Sequence, residues 1–101
     1  MTCAQEKGVL VARPGCNIVA SQIDQLRKEL DRLLQDGPST LVIDLEGVEI
    51  IDSKGLALLM QCHKSLAQHG GALVVLTTNS DFRFMFHAMR LDEHFSVKEA
   101  L

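Results

Sequence analysis

The stretch TLVIDLEGVEIIDSKGLALLMQCHKSLAQHGGALVVLT, residues 40 to 77, decides the fold. Thr40 to Leu45 is an apolar, β-branched run broken by one acid, Asp44. Such a run is a buried strand in a sheet with parallel character, under helices. Glu46-Gly47 turns the chain, and Val48-Glu49-Ile50-Ile51 extends it again briefly. After Asp52-Ser53-Lys54-Gly55 the period changes to a helical one. Leu56, Leu59, Met60, His63, Leu66 and Ala67 then share a face. His69-Gly70-Gly71 stops the helix, and Ala72 to Thr77 is a second buried strand. Strand, helix, strand implies a crossover connection and a parallel pair.

Upstream, GVLVA at 8–12 reads as a strand ended by Arg13-Pro14-Gly15. Asn17 to Ala20 is a second short extended segment, and the two are expected to form a hairpin. Ser21 is expected to cap the next helix, with Asp24 in the place of a capping-box acid. Ile23, Leu26, Leu30, Leu33 and Leu34 line one face of that helix, and Gly37-Pro38 ends it. Downstream, Asn79-Ser80-Asp81 is a capping cluster for a third helix carrying Phe82, Met85, Phe86 and Met89. Phe95-Ser96-Val97 is a last turn or an edge strand. The expectation is one α/β domain spanning residues 1–101. It has a small mixed β-sheet of four or five strands packed with three or four α-helices.

Composition narrows the function. The 101 residues carry a formal net charge of −3, with 47% hydrophobic and 23% charged residues. One apolar core fits this length without staples. An acidic balance opposes a broad electrostatic grip on nucleic acid. With four Phe and neither Trp nor Tyr, base-stacking platforms have no material. No apolar run reaches the roughly 20 residues that cross a bilayer, so no membrane insertion is expected. Cys3, Cys16 and Cys62 are sparse and odd in number, which suits a reducing cytoplasm. His63, His69, His87 and His94 lack metal-ligand spacing, and no glycine-rich phosphate loop is present. No cofactor and no metal are expected. A hydrolytic role for Ser53 finds no GxSxG elbow and no legible base.

The informative segment is Ile50-Ile51-Asp52-Ser53-Lys54-Gly55-Leu56. It places Ser53 at or near a helix N-terminus. By pattern alone the commoner role is a cap that satisfies a free N–H. The alternative is a regulatory phosphoacceptor. A phosphate there would meet exposed N–H groups and the positive end of the helix dipole, and would add nearly two negative charges beside Asp52. Gly55 would let another backbone or a nucleotide approach closely.

Residues 41 to 76 resemble the STAS family, the sulfate-transporter and anti-sigma-factor-antagonist domain. The likeness rests on a strand ending in Asp44, the group Asp52-Ser53-x-Gly55-Leu56, and Gly70-Gly71 before an apolar strand. Leu91 to Phe95 resembles that family's C-terminal segment, and the likeness extends over roughly residues 8 to 98. It reverses the odds on Ser53. The resemblance implies an anti-sigma factor antagonist, not an enzyme. Unphosphorylated, such a protein binds an anti-sigma factor that is also a GHKL-type serine kinase. That kinase uses Mg-ATP to phosphorylate the serine matching Ser53, the complex separates, and a serine phosphatase restores the start. The resemblance further implies Asn17, Asp52, Lys54, Gly55 and Leu56 as partner contacts, with Asn17 standing where many members carry an acid. A monomer or weak dimer is expected. The alternative is a non-switching STAS adaptor in a lipid-transport or signalling complex.

Overall fold

A computed structural model describes residues 1–6, 8–35 and 37–100. The chain runs β1 (Thr2–Glu6), β2 (Val9–Arg13), α1 (Ala20–Leu34), β3 (Thr40–Asp44), α2 (Ser53–Gln68), β4 (Ala72–Leu76) and α3 (Ser80–Ala88). A 3-10 turn at Leu91–Glu93 then leads to β5 (Ser96–Lys98). The five strands form one mixed sheet in the order β1-β2-β3-β4-β5. β1 pairs antiparallel with β2, and every later neighbour pairs parallel.

This order fixes where the helices go. Each parallel connection moves one place in the same direction across the sheet. Right-handed crossovers then put α1, α2 and α3 on one face. The core agrees with that placement. Leu10, Ala12, Leu41, Ile43, Leu73 and Val75 alternate along their strands and join Ile23, Leu26, Leu59, Phe82 and Phe86 in one cluster. Phe86 is fully buried and meets Phe95 edge to face, with ring centroids 6.0 Å apart. The second apolar face of β3 therefore has no helix layer among the described residues. Its Val42 is fully buried, flanked in register by Val11 and Val74.

Two local expectations are corrected. The hairpin joins β1 to β2, with Thr2 opposite Arg13 and Glu6 opposite Val9. Gly8, at φ +82°, lies in the turn between them. Residues 17–20 do not pair with β2; Ile18 makes a single parallel bridge to Ile51. β1 lacks an apolar alternation, and residues 2–5 are exposed, so hydrophobic patterning carries no trace of it. Ser21 is not a cap. α1 begins at Ala20 with Val19 in the N-cap position and no cap from that side chain.

The consequence for function is geometric. β2, β3, β4 and β5 all point their carboxyl ends the same way, so α1, α2 and α3 all begin at one edge of the sheet. The loop after β2 and the segment before α2 meet there.

Candidate functional site at the start of the second helix

Residues 14–19 and 48–55 form one latched unit. The Ile18 N–H donates to the Ile50 carbonyl at 3.0 Å, and the Asp52 N–H donates to the Ile18 carbonyl at 3.2 Å. Asn17 Oδ1 accepts from the N–H groups of Glu49 and Ile50, at 2.9 and 3.1 Å. Asp52 completes the latch with both carboxylate oxygens. Oδ1 accepts from the Gly55 N–H at 2.9 Å and so caps α2. Oδ2 accepts from the Ala20 N–H at 2.8 Å and so serves the start of α1. One side chain thus satisfies orphan donors of two helices that begin 33 residues apart in sequence, at Ala20 and Ser53.

These bonds also set the charge. The Gly55 and Ala20 N–H groups hold the Asp52 carboxyl below its ordinary value of 3.8. Asp52 is ionised at neutral pH. Lys54, beside it, acts in the same direction.

Gly55 is where α2 touches the first loop. A Cβ at this position would lie 2.2 Å from the Ile18 carbonyl oxygen and 2.9 Å from the Cγ2 atoms of Ile18 and Ile51. The space a side chain would need is taken by this protein's own backbone. Gly55 and Leu56 are both buried, and Leu56 belongs to the core. Gly55 brings the α2 start down onto Ile18, and Leu56 anchors it in the core.

Ser53 occupies the first position of α2 and is exposed. Asp52 supplies the cap, so the Ser53 hydroxyl is not needed for it. The commoner role considered from sequence, a serine N-cap, belongs to its neighbour. Lys54 is exposed next to it, and Asn17 is half-buried with its side-chain carbonyl oxygen taken up by the N–H groups of Glu49 and Ile50. Asp52, Ser53 and Lys54 thus lie together at the positive end of a 16-residue helix, and Asn17 is bonded to the backbone of residues 49 and 50 just before it.

Sequence reasoning missed Ile50. It is 55% exposed, while Ile51 is buried. The signal was present: in an extended chain consecutive side chains point to opposite sides, so two adjacent isoleucines cannot both face the core.

Other chemistry is sparse. No group of three or more His, Cys, Asp and Glu side chains converges as a metal site among the described residues. Burial, helped by Asp31, pushes the Cys62 thiol up to about 12, so it is protonated and unreactive at neutral pH. No helix among the described residues is long and apolar enough to cross a membrane.

These features define a class: a small α/β protein, with helices on one face of its sheet, that displays a serine at a helix start. The STAS domain profile matches residues 1–101, and the chain belongs to that family. It is similar to the anti-sigma-F factor antagonist RsfB of Mycobacterium tuberculosis, at 31% identity over 101 residues, covering 100% of this chain and 82% of the relative. It is also similar to the crystal structure of an anti-sigma factor antagonist from Mycobacterium paratuberculosis. That match has a TM-score of 0.88 and 27% identity, covering 99% of this chain and 85% of the other. A structure from Thermotoga maritima, described as a putative anti-sigma factor antagonist, shares the fold. Its TM-score is 0.90 at 20% identity, with coverage of 99% and 86%.

Proposed function

We propose that this chain is an anti-sigma factor antagonist switched by phosphorylation of Ser53. Unphosphorylated, it sequesters an anti-sigma factor that is also a GHKL-type serine kinase. Phosphorylated, it lets go, and a serine phosphatase resets it. The chain is the kinase's substrate and performs no chemistry itself.

The single observation that carries this reading is the division of labour between Asp52 and Ser53. Asp52 does the capping, which leaves the neighbouring hydroxyl exposed and spare. A kinase needs an accessible hydroxyl. Modifying it costs no fold-holding hydrogen bond of a cap. The similarity to RsfB and to the Mycobacterium paratuberculosis antagonist supports the choice of partner class. A phosphate would bring about −1.5 to −2 charges into the middle of a docking surface. Burying that group against a partner shaped for a neutral serine costs desolvation and repulsion.

The test uses the cognate kinase and Mg-ATP with detection by intact mass. One phosphate is expected on the wild-type chain, mapped to Ser53, and none on Ser53→Ala. Equal incorporation into Ser53→Ala would refute the assignment.

A further inference from the structure

We propose that Ile50 is the apolar anchor through which the anti-sigma factor docks, and that Asn17 acts on this partner by positioning Ile50. This rests on the function proposed above and deepens it.

Exposed large apolar side chains are few here: among the described residues they are Ile50, Phe84 and Met89. Phe84 lies on α3 and Met89 at its C-cap, on a different helix from Ser53. Ile50 differs in place and in rigidity. It stands three residues from Ser53, at most about 11 Å along an extended chain. A standard interface covers about 800 Å² per partner, a disc of roughly 16 Å radius. A protein that engages the Ser53 hydroxyl within an interface of that size covers Ile50 as well.

The backbone of Ile50 is held on both sides. Its N–H donates to Asn17 Oδ1 and its carbonyl accepts from the Ile18 N–H. Next door, the Glu49 N–H donates to the same Asn17 oxygen. The exposed side chain therefore sits on a backbone that has little freedom left to lose on binding. Prepaid ordering of this kind is what distinguishes an energetic anchor from a passive contact. Glu49 and Lys54, both exposed, place one charge of each sign close by, which suits a polar rim around an apolar centre. The matching partner surface is an apolar pocket beside the kinase active site.

This gives Asn17 a role other than touching the kinase. Its carbonyl oxygen is occupied inside this chain. Asn17 is a positioning residue, and an aspartate could take the same two N–H bonds.

The experiment uses purified GHKL-type anti-sigma factors encoded by the source genome, titrated calorimetrically against the full chain. If none binds the wild type, the function proposed above fails, and this inference falls with it. With a binder in hand, Ile50→Ala is expected to weaken affinity about tenfold or more, and Ile50→Leu to keep most of it. Phe84→Ala and Met89→Ala are expected to stay within about twofold. Asn17→Ala should weaken binding, and Asn17→Asp should restore it. Circular dichroism verifies that each variant is folded. A folded Ile50→Ala that binds within about twofold of wild type overturns the anchor while leaving the function standing. An Asn17→Asp variant as weak as Asn17→Ala overturns the positioning role.

Discussion

Ser53 and Ser80 stand in matching places on two different helices. Each is the first residue of its helix, each is exposed, and each follows an Asp or Asn whose side chain caps that helix. Asn79 Oδ1 accepts from the N–H groups of Asp81 and Phe82, at 2.9 and 3.1 Å, and serves α3 alone. Asp52 serves α2 and reaches back to Ala20 of α1. At the third helical position α2 has Gly55, pressed against Ile18, where α3 has Phe82 in the core. Lys54 follows Ser53, whereas Asp81 follows Ser80. A serine at a capped helix start is thus not in itself a switch. The surrounding loops make the difference: one start is latched to a second helix and flanked by a cation and an exposed isoleucine, and the other stands alone beside an acid.

The largest expected effect tests the latch. Gly55→Ala forces a Cβ into the Ile18 carbonyl and should cost about 3 kcal/mol or more in urea unfolding. A loss below about 1 kcal/mol would mean that the α2 start does not depend on that close approach.

Next comes the pair of caps. Asn79→Ala should cost about 1 kcal/mol, the usual value of one N-cap. Asp52→Ala should lower the melting temperature further, because two helix starts lose an acceptor. Equal shifts would erase the contrast between the local cap and the shared one. The same contrast has a pH dependence. Because the folded-state Asp52 carboxyl lies below its ordinary value, its stabilisation is complete above the ordinary aspartate range. It is lost as pH falls through the lower folded value. Asp52→Asn should flatten the stability curve below a pH of about 4. An unchanged acid limb would show that the two N–H bonds do not act on the carboxylate.

The same distinction governs what could be read from sequence. The cap on α3 was legible because Asn79 lies next to the residues it serves. β3, β4 and the three helices were legible because each carries its own apolar period. The pattern around α1 points to Ser21 as its cap, since nothing local points to an acceptor 32 residues away. β1 escaped because its residues 2–5 are exposed and it is held by ladder hydrogen bonds rather than by an apolar face. The burial of Gly55 and Leu56 is not visible in the motif itself, because Ile18 and the core that cover them come from other stretches of chain. The part of the site that lies along one stretch of chain, Asp52-Ser53-Lys54, could be found. The part made by bringing residues 17 and 18 against residues 49 to 52 could not, because tertiary pairing creates it.

The most direct measurement compares the affinity of one kinase for two forms of the chain, unmodified and phosphorylated at Ser53, by calorimetry without ATP. Binding is expected for the unmodified form and a loss of about a hundredfold or more for the phosphorylated one, with the circular dichroism spectrum unchanged. Equal affinities for the two forms would contradict the account at its centre.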